Sequence, residues 1–316
     1  MDKIVYRRLS SLETDLGYSA KALYTLSNSV SAHYKSIRIP KRNGELRQLL
    51  VPDPFLKAVQ HSIAEKLLFF EACSPYATAY RAGGSTLINA RPHVGKKVLL
   101  QLDIRCFFDK IFYPIVKEKV FHRGKYAENL RVLLTLLCVY KDTLPQGAPT
   151  SPAISNIIMR DFDNTVGVWC QRQGISYTRY CDDMSFSGDF DPSPVIALVG
   201  QELKKMGLFL NDSKTKVVRD GQRKKVTGII VNEKINIPVS YKRKIRQEMY
   251  YCIKYGIQSH MEKCGIIGSE EQFRQKLLGK INYALSICES QELKEYRAWL
   301  IENDKTIIKQ KSGVNL

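Results

Sequence analysis

Apolar positions along the chain follow two spacings, and the switches between them outline the elements. In residues 55–71, Leu56, Val59, Ile63, Leu67 and Phe70 recur at helical spacing, which predicts one amphipathic helix. Residues 36–51 change to alternation. Ile37 and Ile39 mark one arm of a hairpin, Asn43-Gly44 its turn, and Leu46 to Val51 the other arm. Val98 to Leu102 is a short, nearly all-apolar strand that ends in Asp103. Helical stretches follow near 113–121 and 127–140. A long helix is expected from Ser151 or Pro152 to about Gln173. Residues 175–187 read as a second hairpin with Asp182-Asp183 at its turn, and 193–206 as a helix. Short strands are expected near 207–211, 226–231 and 235–238, and the pattern is helical from Tyr241 onward. The first 35 residues suggest short helices, one capped by Ser19 with Leu23 and Leu26 on one side. Pro238 is the natural boundary between a mixed α+β core and a helical tail.

Composition narrows the class. Hydrophobic residues make up 44% of the 316, enough for a sizeable core. Forty-nine Lys and Arg against 31 Asp and Glu give a formal charge of +18, carried on a folded surface. Such a surface suits a polyanion, nucleic acid before an acidic membrane. Eight cysteines contain no CxxC pair, so a zinc ribbon or redox motif is not expected. No apolar run has signal-peptide or membrane-spanning length. A cytoplasmic protein with free thiols and no membrane partner is therefore expected.

Three local features carry possible chemistry. Tyr180-Cys181-Asp182-Asp183 places two carboxylates side by side between alternating strands. Asp-Asp is ordinary turn chemistry, and it is also a way to hold a magnesium ion, which takes oxygen ligands. Asp103 closes the apolar strand and is followed by Phe107 and Phe108. Two strands that each deliver a carboxylate at their ends suit a pair of metal ions and in-line phosphoryl transfer. In Leu144-Pro145-Gln146-Gly147-Ala148-Pro149-Thr150-Ser151-Pro152, a glycine between prolines allows close approach to a ligand, with a helix opening behind it.

The order and spelling of these features resemble the reverse transcriptases. LDIRCFF-D is similar to polymerase motif A, LPQGAPTSP to motif B and YCDD to the YxDD box of motif C. GLFLNDSKTKV at 207–217 resembles motif D, VTGIIVN at 226–232 the last palm strands, and IPKRNGELRQLLVPDP a fingers segment. Within that family the chain looks most like a bacterial retron reverse transcriptase, with Asn89-Ala90-Arg91-Pro92-His93 fitting NAxxH and Val226-Thr227-Gly228 fitting VTG. Cys181 stands where Ala is usual. The resemblance implies a right-hand polymerase fold: an N-terminal helical extension (1–35), fingers and palm (36–240) and a helical thumb (241–316) that recognises noncoding RNA. Asp103 and Asp182 would ligate two Mg2+ ions, with Asp183 a nearer-neutral partner and the Ile104 carbonyl completing the shell. Phe108 would stack under the incoming sugar and exclude a 2′-hydroxyl. Gln146 would touch the incoming nucleotide, and Arg47 with Lys41 or Arg42 would grip its triphosphate. Lys214 would protonate the leaving pyrophosphate.

Basic clusters suit an RNA partner. Residues 204–225 hold eight Lys or Arg against two Asp, and Lys204, Lys205, Arg223, Lys224 and Lys225 are the candidates for RNA binding there. The expected activity is RNA-directed DNA synthesis on a cognate structured noncoding RNA. It would use dNTPs, start from an internal guanosine 2′-hydroxyl and give a branched RNA–DNA product. A retron effector protein is the expected second partner, and phage defence the expected role. A group II intron or diversity-generating reverse transcriptase, or a catalytically idle RNA-binding protein on the same fold, are the alternatives.

Overall fold

The computed structural model describes residues 6–40, 44 and 46–311, with side chains described to residue 302. The chain divides into two compact units. The first runs to Pro92 and resumes from Lys96 to Asp220; the second holds His93–Gly95 and the chain from Gly221.

The first unit opens with α1 (Leu9–Leu16) and α2 (Ala20–Asn28). The Ser19 hydroxyl caps α2 by accepting from the Ala22 N–H, and Leu23 and Leu26 are buried, as the pattern predicts. Strands β1 (Tyr34–Pro40) and β2 (Leu46–Pro52) form the antiparallel hairpin, with Ile39 opposite Arg47. The predicted helix over 55–71 is α3 (Pro54–Ile63), capped by Asp53 and continued by one π-helical turn, Ala64–Leu68. A short helix the pattern does not reveal, α4 (Thr86–Ala90), precedes β3 (Val98–Asp103). Then come α5 (Tyr113–Lys119), α6 (Glu128–Cys138) and the long α7 (Ser151–Arg172).

Strands β4 (Ser176–Tyr180) and β5 (Asp183–Gly188) follow, then α8 (Pro192–Lys205) and β6 (Lys216–Val218). Together the strands make an antiparallel sheet in the order β4-β5-β3-β6. β3 is central, which explains its near-continuous apolar run. The helices bury their apolar stripes with Leu100, Leu102 and Phe186 in one core. Residues 207–211 are not the short strand expected there. Leu210 makes a single bridge to Ile104, and the strand that pairs with β3 begins six residues later, at Lys216.

The second unit contains the two-residue strands β7 (Lys225–Val226) and β8 (Ile229–Ile230), paired antiparallel. Residues 235–238 contribute only a bridge from Asn236 to Ile230. Helices α9 (Val239–Tyr255), α10 (Ile257–Lys263), α11 (Glu270–Ile287) and α12 (Gln291–Lys311) follow. Among the described residues no helix is long and apolar enough to cross a membrane.

Candidate active site

The sheet register brings the three aspartates together. Asp103, the last residue of β3, lies directly opposite Asp183, the first residue of β5. The Ile104 N–H donates to the Asp182 carbonyl at 3.1 Å, which ties the β4–β5 turn to the end of β3. The turn therefore differs from the predicted one: it is Cys181-Asp182, and Asp183 belongs to β5, paired with Tyr180 and Asp103. Cys181 has φ 63°, the left-handed geometry a tight turn demands. Asp103 is only 5% exposed, and both of its carboxylate oxygens are occupied. Oδ1 accepts from Asn211 Nδ2 at 3.1 Å and Oδ2 from Lys214 Nζ at 2.8 Å.

Crowding of negative charge shows in the ionisation of the site. Asp183 opens β5, and its carboxylate is partly desolvated. That desolvation comes first, and the charges of Asp182 and Asp103 add to it. Against the opposing charge of Lys214, they push the Asp183 carboxyl up to about 6. Partial burial works against the Lys214 ammonium, but its hydrogen bond to Asp103, with Asp182 and Asp183 beyond, outweighs this and raises its pKa. Burial, then the neighbouring Asp182, pushes the Cys181 thiol up to about 12, so it is no nucleophile at neutral pH.

A cavity of about 790 Å³ opens beside this turn, and Asp183 is not among the residues that line it. Asp103, Ile104, Asp182 and Lys214 line it, and so do Arg47 from β2, Phe108 and Gln146. Both Phe107 and Phe108 border the cavity, but Phe107 is 3% exposed and packs in the core, whereas Phe108 is half-buried. Gly147 does not leave room for a ligand, as its setting between prolines suggests; it leaves room for the protein's own backbone. A Cβ there would lie 2.6 Å from the Leu50 carbonyl oxygen, and the Leu50 N–H donates to the Gln146 carbonyl at 2.9 Å. Lys41 and Arg42 lie outside the described residues.

This assembly agrees with what related sequences say. Residues 39–274 match the family described as "Reverse transcriptase (RNA-dependent DNA polymerase)". The Retron Ec83 reverse transcriptase of Escherichia coli is 31% identical over 239 residues, covering 69% of this chain and 75% of that protein. Retron Ec86 reverse transcriptase, from the same organism, is 29% identical over 252 residues, 78% of each chain. The Myxococcus xanthus Retron Mx65 reverse transcriptase is 31% identical over 238 residues, covering 69% of this chain and 56% of that one. The chain belongs to the retron reverse transcriptases. Its family is one of RNA-directed DNA polymerases, nucleotidyltransferases with the right-hand polymerase fold and divalent metal ions as cofactors.

The retron-family site fits such ions in the kind of donor it offers, since three carboxylates supply hard oxygen ligands. The crowding that raises Asp183 is what a cation would relieve. Among the described residues no three acidic, His or Cys side chains converge into a ready metal cluster. The Asp103 carboxylate is instead turned to Lys214 and Asn211.

Beneath the retron YCDD turn lies a network that sequence reasoning missed. The Arg179 side chain is fully buried, as is that of its partner Asp163 on α7. Arg179 Nε donates to Asp163 Oδ1 at 2.8 Å and Nη2 to Oδ2 at 2.6 Å, a bidentate pair. Its Nη1 donates to the Cys181 carbonyl at 2.9 Å and Nη2 also to Asn156 Oδ1 at 3.2 Å. The Tyr177 hydroxyl donates to Asp163 at 2.8 Å. Burial works against the guanidinium's charge, and Asp163 more than compensates, so Arg179 stays protonated. In sequence, Arg179 sits in an alternating strand where an arginine looks like a surface residue. Only the pairing with an aspartate sixteen residues away reveals otherwise. Asn89, picked out by NAxxH, is 1% exposed and accepts from the Thr78 hydroxyl at 2.7 Å. His93 is likewise buried.

The proposed RNA-contacting lysines and arginine separate. Lys204 and Lys205 end α8 in the first unit and are exposed, with Lys205 paired to Glu202 at 2.5 Å. Arg223 and Lys225 are exposed in the second unit. Lys224 is a correction. It lies next to β7, is 3% exposed and donates its backbone N–H to the Asn232 side chain at 2.9 Å, so it is not part of a solvated basic run.

Proposed function

We propose that this protein copies part of a cognate structured noncoding RNA into DNA, starting from an internal guanosine 2′-hydroxyl and leaving a branched RNA–DNA product. The observation that carries the reading is the cavity shared by Asp103, Asp182, Lys214, Arg47, Phe108 and Gln146. Asp103, Asp182 and Asp183, with the Ile104 carbonyl, would hold two Mg2+ ions. Those ions, when bound, supply Lewis acidity to the attacking hydroxyl and the phosphates. Arg47, with Lys41 or Arg42, holds the triphosphate of the incoming dNTP. Gln146 contacts that nucleotide, and the Phe108 ring excludes a 2′-hydroxyl from its sugar. The Lys214 ammonium holds a proton beside Asp103 and gives it to the departing pyrophosphate. The 1–35 extension, the fingers and palm to 240 and the thumb from 241 to 316 divide the work, the thumb choosing the RNA. A retron effector protein, a cytoplasmic location and a role in phage defence complete the proposal.

Two measurements test it. Asp182→Asn should abolish extension of a primed RNA template while the melting temperature stays near wild type; near-wild-type extension overturns the metal assignment. Co-expression with the RNA encoded just upstream should give a small DNA joined to RNA that debranching enzyme shortens. Product that debranching leaves unchanged overturns the retron priming and leaves polymerisation standing.

A further inference from the structure

Tyr80 lines the cavity beside the aspartate turn, and neither the sequence motifs nor the proposed mechanism gives it a role. Its backbone has φ 57°, a conformation that a bulky aromatic rarely adopts. The surrounding structure imposes it. Residues 76–78 run parallel beside β4: the Arg179 N–H donates to the Tyr76 carbonyl and the Thr78 N–H to the Arg179 carbonyl, both at 2.8 Å. Asn156 then holds the Ala79 carbonyl at 2.8 Å. The chain turns back so tightly that a Cβ on Gly84 would lie 2.4 Å from the Thr78 carbonyl oxygen. Arg179 and Asn156 thus fix both the Cys181 turn and the segment that delivers Tyr80.

All this constraint presents a side chain that the core does not need. Tyr80 is 48% exposed, and it faces the cavity. Cys181 and Asp182, the two residues of the turn beside Asp103, line the same cavity as the Tyr80 ring. In an in-line displacement the attacking hydroxyl and the leaving phosphates lie on opposite sides of the reacting phosphorus. Arg47 and Lys214 suit the phosphate side, which leaves Tyr80 with the nucleophile.

We propose that Tyr80 seats the nucleotide that carries the attacking hydroxyl, its ring packed against that nucleotide's base or sugar beside Asp182. The inference rests on the polymerase reading and adds to it a contact for the primer end rather than for the incoming dNTP. Backbone strain kept at an exposed aromatic that lines a reaction cavity is what a substrate contact requires and what packing alone does not.

The test uses the full chain with a DNA primer annealed to an RNA template. Tyr80→Leu keeps apolar bulk and removes the ring. It should raise the KM for the primed template about tenfold or more, the scale of one lost base–aromatic stack, and leave the KM for dNTP unchanged. Tyr80→Phe should stay near wild type. Tyr80→Gly, which relieves the left-handed backbone, should melt no lower than Tyr80→Leu while losing the same primer affinity. An unchanged primer-template KM in Tyr80→Leu, or a shift in the dNTP KM instead, overturns the proposal. A second measurement needs no variant. A primer ending in 5-iodouracil, irradiated in the complex, should give an adduct mapped to Tyr80 by mass spectrometry, and adducts only at other residues overturn the assignment. Wild-type extension of the same duplex is the control: its absence refutes the polymerase reading, whereas extension with unaffected Tyr80 variants refutes only this contact.

Discussion

The Arg179–Asp163 pair offers the most demanding test of how the fold supports the site. Both side chains are wholly excluded from solvent, and the guanidinium spends its remaining N–H groups on Cys181 and Asn156. Removing one partner of such a pair strands a charge in low dielectric and costs about 3–5 kcal/mol. Arg179→Met should therefore cost that much, and Asp163→Asn a comparable amount because the arginine keeps its charge. At about 2–4 °C per kcal/mol for a unit of this size, each melting temperature should fall by roughly 6–20 °C. The double variant leaves no unpaired charge, so its loss should be smaller than the sum of the single losses by about 2 kcal/mol or more. It should not recover DNA synthesis, because nothing then holds the Cys181 carbonyl and the turn that carries Asp182. Thermal melting followed by circular dichroism, with primer extension on the same samples, measures both. Additive losses refute the buried ion pair, and a double variant that polymerises like wild type refutes its role in holding the turn.

Three further outcomes are expected. Phe108→Val should admit ribonucleotides more readily, read as the ratio of ribonucleotide to deoxynucleotide incorporation; unfolding with no change in sugar choice makes Phe108 a packing residue. Asp183, with its folded pKa of about 6 above the ordinary 3.8, binds its proton more tightly in the folded chain. It thus favours folding at acid pH, and that contribution is lost as pH rises from about 4 through 6. Magnesium should accordingly raise the melting temperature more at about pH 7.5 than at about pH 5, where the carboxyl is protonated; equal shifts refute the assignment. Neutralising Lys204, Lys205, Arg223 and Lys225 together should flatten the dependence of log RNA affinity on log salt, by up to about 0.7–0.9 for each phosphate no longer neutralised; neutralising Lys224 should act through stability instead.

What could be seen in the sequence followed from how far each interaction reaches. Asp103 is conspicuous because a short apolar strand ends on it. The three motifs in order indicate a shared sheet, and Lys214 and Gln146 were legible only through resemblance to other reverse transcriptases. The Asp182-Asp183 pair suits a turn on local propensity. Pairing with Asp103 across the sheet draws Asp183 into β5 instead, and no local signal encodes that register. The short apolar run in residues 207–211 reads as a strand, but the edge of β3 is taken by Lys216–Val218. Lys224 looks like its exposed neighbours in a basic run and is nevertheless buried, with its backbone tied to Asn232 eight residues further on. Arg179, Asp163 and Tyr80 belong to networks whose members lie far apart in the chain, so their spacing carries no period to detect.

Gly147 has a consequence for how substitutions in such a loop are interpreted. In a mutational scan scored by DNA yield, residue 147 should rank among the most intolerant positions, and its place beside Gln146 invites the conclusion that it meets the nucleotide. Its neighbour is the Leu50 carbonyl of β2, at a distance no side chain can share. Substitutions there would unseat the strand that carries Arg47, so the lost yield would report on the docking of the hairpin. The same close approach limits chimeras: a hairpin borrowed from a relative would be accepted only if it met position 147 with equally bare backbone.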